Sequence, residues 1–139
     1  MSIKENRPRK GNKMPPKNRE IPEQIRKRFD DQDLIYAYCP TGWIDLITEL
    51  DDKLAVLVPH YKIRQIKEKF AGLRYYVDVP LHGDGTTRNQ AHDLITEYEN
   101  RSYLICDMCG EPGKETNLTG WMATRCEAHD TKEKVENLK

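Results

Sequence analysis

Four side chains near the C-terminus constrain this chain more than any other feature. Cys106 and Cys109 form a CxxC pair, and after an intervening sixteen residues Cys126 and His129 form a CxxH pair. Two soft-ligand pairs at this spacing can close a tetrahedral shell around one Zn²⁺. Four protein ligands leave no position for water, so the expected ion is single and structural. A disulfide and free buried thiols are the competing readings. Both are disfavoured if the thiols stay reduced, as in a cytoplasmic protein. That compartment is the expectation here. The N-terminus is charged from Lys4 onward and lacks the apolar stretch of a secretory signal. No apolar run approaches the ~20 residues of a membrane span.

The residues around the pairs predict how the unit folds. Gly110 follows Cys109 and lets the chain turn so that backbone N–H groups approach the thiolates. The stretch from Asn117 to Arg125 contains a Gly120 turn and the strand-like run Trp121–Thr124. Cys126 is then expected to open a polar helix reaching Leu138. Knuckle, hairpin and a helix carrying the second pair make a treble-clef-like arrangement. Arg125 and Lys132 lie close in sequence and can offset the surplus negative charge of three thiolates. The unit has few apolar residues, among them Ile105, Leu118, Trp121 and Met122. Zinc binding supplies ~10 kcal/mol or more of folding free energy in such units, so the metal is expected to substitute for a core.

The body, residues 29–105, reads as helix, β-hairpin and helix, giving an α+β fold. Residues 25–34 suit a short helix or turn. Cys39 precedes Pro40, which biases it away from helix, and it is expected to be a free core thiol. Thr41 is placed to cap the next helix. Over residues 43–58 the apolar side chains Trp43, Ile47, Leu50, Leu54 and Leu57 recur at steps of three and four, which is one helical face. Pro59 ends it. Leu73, Tyr75, Val77 and Val79 alternate with polar residues as a half-buried strand. That strand pairs with Lys62–Phe70 through a tight turn at Ala71-Gly72, where Gly72 is expected to take positive φ. The hairpin's polar face would show Lys67, Lys69, Arg74 and Tyr76. A last helix runs from Thr86 or Thr87 to Tyr103, burying Ala91, Leu94, Ile95, Tyr98 and Ser102. Trp43 and Trp121 are both expected in the core.

The formal charge of the 139 residues is zero, with 23 basic and 23 acidic side chains, but it is unevenly placed. Residues 1–28 hold ten basic groups against three acids, a net +7, which leaves −7 for the rest. This segment has almost no apolar residues before Ile21 and contains Pro8, Pro15, Pro16 and Pro22. It is expected to be a disordered basic arm that contributes no core. Arg7, Arg9, Lys10, Lys13, Lys17 and Arg19 are its candidate phosphate contacts, sequence-blind and salt-dependent. A solubilising tail is the alternative. His82 and His92 have no neighbour at ligand spacing and read as plain polar residues. No Ser/His/Asp grouping, paired-carboxylate pattern or phosphate-binding glycine loop appears.

The string from Gln65 to Val77 (QIKEKFAGLRYYV), the run Cys106–Gly113 (CDMCGEPG) and the run Gly120–His129 (GWMATRCEAH) together resemble a group of small uncharacterised proteins of bacteriophage and prophage genomes. The resemblance covers about residues 42–130. It implies phage origin, a bacterial cytoplasmic setting and a zinc site at Cys106, Cys109, Cys126 and His129. Locally, the unit is also similar to the zinc finger of DksA/TraR-type transcription regulators, although His129 stands where those have cysteine. A superficial similarity to HNH nucleases extends to Asn117-Leu118 and the Cys126–His129 stretch. The run Trp121–Thr124 holds no general base and no metal-binding His. The functional expectation is therefore a non-enzymatic zinc-stabilised accessory or regulatory protein that binds host or phage machinery. The alternatives are a nucleic-acid binder led by the basic arm and, less favoured, an HNH-like nuclease. No small-molecule substrate or membrane partner is expected.

Overall fold

The computed structural model describes residues 21–80, 85–118 and 120–130. Among these residues, three α-helices and two antiparallel hairpins occur in the order α1 (Glu23–Arg26), α2 (Ile44–Leu57), β1 (Lys62–Lys69), β2 (Gly72–Asp78), α3 (Thr86–Ser102), β3 (Lys114–Asn117) and β4 (Met122–Arg125). Short 3₁₀ turns span Asp31–Tyr36, Thr41–Trp43 and Glu127–His129. The fold is α+β, and among the described residues no helix is long and apolar enough to cross a membrane. The C-terminal helix expected toward Leu138 lies beyond residue 130, outside the described residues. The same holds for Lys132, His82 and the six basic candidates of the arm.

One apolar cluster organises the body. Trp43, Ile47, Leu50 and Leu54 of the α2 region meet Ile63 and Ile66 of β1, Leu73 and Tyr75 of β2, and Ala91, Ile95 and Tyr98 of α3. The spacing of three and four on α2 thus faces the alternation of two on the hairpin. β1 and β2 pair from Lys62 with Asp78 to Lys69 with Gly72, with a register shift between Ile63 and Gln65. Arg64 sits at that irregularity and pairs with Asp30, Asp33 and Asp78. The outer edge of β2 is covered by α3. Leu73 N–H donates to Ser102 Oγ at 2.9 Å, and Tyr75 N–H donates to Glu99 Oε2 at 2.9 Å. Two side chains of one helix turn therefore satisfy donors that an open strand edge would leave unpaired.

Several expectations need correction. The segment from residue 21 to 28 is not part of a coreless arm. Ile21 and Ile25 are buried in the main cluster, and Arg28 pairs with the buried Asp51 at 2.9 Å. Asp51 also accepts from Gln24 and from Tyr61, whose hydroxyl meets that of Tyr75 at 2.8 Å. Two isoleucines in a basic surrounding gave too weak a periodic signal, and the partner of Arg28 is 23 residues away. Thr41 does not cap α2: it opens a 3₁₀ turn and makes no capping hydrogen bond. Positive φ in the β1–β2 turn falls on Phe70 (51°) and Ala71 (71°) rather than on Gly72. Two successive positive-φ residues match the twist of a two-residue hairpin. Gly72 is needed for space instead, since a Cβ there would lie 2.2 Å from the Tyr103 ring. Trp121 is 47 % exposed, whereas Trp43 is fully buried.

Candidate metal centre

The Cys/His unit is fastened to the body before its ligands are considered. Gly42 N–H donates to the Asp107 carbonyl at 2.9 Å, and Trp43 Nε1–H donates to the Ile105 carbonyl at 2.9 Å. A Cβ on Gly42 would stand 2.0 Å from the Cys106 carbonyl oxygen, so only glycine admits the knuckle this close to the start of α2. On the other side, Thr124 Oγ1 donates to the Ala71 carbonyl of the hairpin turn at 2.7 Å. The unit thus fits between the start of α2 and the tip of β1–β2.

The knuckle itself is a backbone turn. Cys106 N–H donates to the Glu111 carbonyl at 2.7 Å, and Gly110 N–H donates to the Cys106 carbonyl at 2.9 Å. Gly110 adopts φ +83°, the left-handed conformation that brings the chain back after Cys109. β3 and β4 then pair from Lys114 with Arg125 to Asn117 with Met122. Asn117 Oδ1 accepts from Gly120 N–H at 2.7 Å in the turn between them. β4 delivers Cys126, and the 3₁₀ turn Glu127–His129 delivers the imidazole.

Cys106, Cys109, Cys126 and His129 come together with all four ligand atoms within 4.8 Å of one another. Cys109 Sγ and Cys126 Sγ are 3.6 Å apart. His129 Nδ1 is 3.6 Å from Cys106 Sγ and 3.2 Å from Cys126 Sγ. Tetrahedral bonds of about 2.3 Å to sulfur and about 2.0 Å to nitrogen require edges of about 3.8 Å for S···S and about 3.5 Å for S···N. The cluster has the dimensions of such a shell and can hold a metal ion. The cysteines are free rather than disulfide-bonded. Burial and the neighbouring thiols push Cys109 up to about 12, and a bound cation is the agent that makes such thiols ligating thiolates. Cys39 stands apart, buried and free, donating to the Pro40 carbonyl at 3.4 Å. Burial pushes its thiol far up. His92 is exposed on α3, outside this cluster.

Arg125 differs from its expected place. It does not balance the cluster from the surface, because it is 1 % exposed. Its Nε lies 2.5 Å from Asp107 Oδ1, and its Nη1 donates to the His129 carbonyl at 3.4 Å. The guanidinium therefore ties the knuckle to the turn that carries the second ligand pair. Next to this pair sits Glu68, whose carboxyl is pushed up to about 9 by burial, then by the charge and hydrogen bond of Asp107. Gly42, Glu68 and Asp107 were not singled out from sequence. A lone glycine, a strand glutamate and the x of a CxxC have no pattern that marks them.

A cavity of about 500 Å³ opens beside Glu68, lined by Tyr38, Phe70, Gly120, Trp121 and Met122. It lies where the tip of β1–β2 meets the turn of β3–β4. Comparison with protein-family models, with curated proteins and with solved structures finds no match to this chain.

Proposed function

We propose that the chain is a non-enzymatic, zinc-stabilised accessory protein of phage type that acts by binding host or phage machinery. The observation that carries this reading is the closed cluster of four side chains, Cys106, Cys109, Cys126 and His129, within 4.8 Å. Three thiolates and an imidazole at tetrahedral spacing are a donor set that favours zinc. With four protein ligands the ion supplies folding free energy and cross-links the chain, and no position is left for a reacting water. The order of knuckle, β3–β4 hairpin and ligand-bearing turn supports a treble-clef-like unit. The resemblance of the hairpin and zinc motifs to phage proteins supports the origin and a bacterial cytoplasmic setting.

A nuclease of HNH type is disfavoured by the same geometry. His129, the histidine of the motif, is engaged at the cluster, and β4 carries Met122, Ala123, Thr124 and Arg125 with no general base. The nucleic-acid reading keeps one specific observation. Tyr76 is exposed on the hairpin's polar face with the Lys67 ammonium 5.9 Å from its ring centroid, a suitable platform for a base and a phosphate.

The test is a binding titration of zinc-loaded full-length protein with DNA and RNA across a salt series, beside a variant with Arg7, Arg9, Lys10, Lys13, Lys17 and Arg19 changed to Gln. Weak, salt-insensitive binding shared by both proteins supports the protein-partner reading. Tight binding that falls steeply with salt and is lost in the variant overturns it in favour of a nucleic-acid protein. Nucleic-acid cleavage that survives purification and needs the cluster overturns the non-enzymatic reading.

A further inference from the structure

The outer face of the β1–β2 hairpin is a basic surface whose charge the chain leaves unbalanced. The register pairs Gln65 with Tyr76 and Lys67 with Arg74, while Ile66 and Tyr75 between them lie in the core. Alternation therefore puts Lys67, Lys69, Arg74 and Tyr76 on the outer side. The acid of this stretch, Glu68, falls on the inner side beside Asp107, and its carboxyl, pushed up to about 9, holds its proton at neutral pH. Neighbouring cations are already paired with acids: Lys53 with Glu49, Lys62 with Asp30, and Arg64 with Asp30, Asp33 and Asp78. Lys67, Lys69 and Arg74 make no ion pair among the described residues. Glu99 of α3, whose carboxyl feels the Arg74 charge, accepts instead from Tyr75 N–H at the strand edge.

What these three cations touch is neutral. The Lys67 ammonium is 5.9 Å from the Tyr76 centroid and the Lys69 ammonium 5.6 Å from that of Phe70. Arg74 Nη1 donates to the Leu73 carbonyl at 3.1 Å and to the Tyr103 hydroxyl at 3.3 Å. The Tyr103 ring closes over Gly72, where a Cβ would meet it at 2.2 Å. Rings and neutral acceptors orient a cation without cancelling its charge, so an anion remains the stronger partner. From residue 21 onward the chain carries sixteen basic and twenty-one acidic side chains. The basic face is thus a local feature of an acidic body.

The layout selects the anion. Lys67 and Lys69 stand two residues apart on one strand face, about 6.6 Å along it, which suits successive phosphates of an extended chain better than one compact anion. Arg74, across from Lys67, adds a planar fork that grips phosphate bidentately. Tyr76 is 42 % exposed beside them. Its ring offers a base a stacking surface, which an acidic polypeptide does not use and a duplex, with its bases stacked inside, does not reach. The Lys67 ammonium lies at the outer edge of cation–π range and turns to a phosphate at little cost. We propose that the outer face of β1–β2 binds single-stranded nucleic acid, with Lys67, Lys69 and Arg74 on the phosphates and a base on Tyr76. The contact is blind to sequence and does not use the arm. It goes beyond the protein-partner reading and is independent of it.

The test uses zinc-loaded full-length protein with Arg7, Arg9, Lys10, Lys13, Lys17 and Arg19 changed to Gln, so that the arm is silent. The probe is a labelled oligothymidylate read by fluorescence anisotropy. Its affinity is expected to fall with salt at a log–log slope of about −2, the counterion release of three phosphate contacts on a single strand. Lys67→Gln with Lys69→Gln should bring the slope to about −0.7. Tyr76→Ala should weaken binding by about 5- to 150-fold, the worth of one stacked base, and leave the slope unchanged. Lys114→Gln, on β3, leaves both unchanged. Unaltered melting and zinc content of the variants certify their fold. Three results overturn the proposal: no oligothymidylate binding once the arm is silent, tighter binding of a duplex of the same length, or equal binding of inorganic polyphosphate with no effect of Tyr76→Ala. Each of them removes this face and leaves the protein-partner reading standing.

Discussion

The body and the Cys/His unit reach a folded state by different means. The body buries a continuous apolar cluster that runs from Ile21 through α2 and the β1–β2 hairpin to Tyr98. The unit's own cluster is Leu118 with Ala123. Burying a leucine-sized side chain is worth about 1.5–3 kcal/mol, so two small contributions cannot order some twenty-five residues against their conformational entropy. The unit relies on polar links instead: four ligand atoms within 4.8 Å, the Asp107–Arg125 pair, and backbone hydrogen bonds to Gly42 and Ala71. The contrast is the one expected where a metal ion held by the four ligands, with a buried ion pair, fixes the turns of a segment that has little core.

The strongest way to break the comparison is Cys109→Ser. It removes one ligand, and the unit is expected to lose the ~10 kcal/mol that a structural zinc contributes. Native mass spectrometry should show the bound ion gone while the far-ultraviolet signal of the body persists. Retention of one zinc per chain would refute the ligand set.

Arg125→Leu should come next. It leaves the Asp107 carboxylate buried and unpaired, at a cost of about 3–5 kcal/mol. Trp121 fluorescence, whose ring centroid lies 5.3 Å from the Arg125 guanidinium, reports the loss. Leu50→Ala acts on the other region and should cost about 2–5 kcal/mol through a cavity. Denaturant melts should then show the body destabilised with zinc stoichiometry unchanged. A proportional loss of zinc would mean that the two regions fold as one.

A further effect concerns pH. The Glu68 carboxyl is raised to about 9 in the fold from an ordinary value of 4.5, by burial first and Asp107 second. The native state therefore holds a proton that the unfolded chain releases. This contribution is fully present below about 4.5 and is lost as pH rises toward 9. Over that window the wild type should lose stability relative to Glu68→Gln, which has no proton to release. Parallel stability profiles of the two proteins would show that Glu68 is not perturbed. Comparing the pair cancels the opposite trend expected from the Cys/His cluster, whose affinity for a metal ion rises with pH.

The fold was legible where pattern is local. The three-and-four spacing on α2, the alternation Leu73–Val77 and the Thr86 start of α3 all appear where periodicity puts them. The ligand cluster was legible because CxxC and CxxH are short and chemically selective. What escaped were features made by distant partners. Ile21 and Ile25 look like part of a charged arm until α2 provides a face for them. Gly42 matters because the Cys106 carbonyl, 64 residues later, approaches it. Glu68 is an ordinary strand residue until Asp107 arrives beside it. Trp121 reads as core by its chemistry, yet the unit has no interior large enough to hold it.

The central claim is that metal substitutes for core in residues 106–130 while the body stands on its own. Hydrogen exchange of the full chain, with and without a zinc chelator, tests it most directly. The account predicts that chelation removes protection from the amides of Cys106, Asp107, Gly110 and Leu118, all hydrogen-bonded in the unit, and spares those of α2, β1 and β2. Protection that survives chelation in the unit, or that collapses equally in the body, would contradict it.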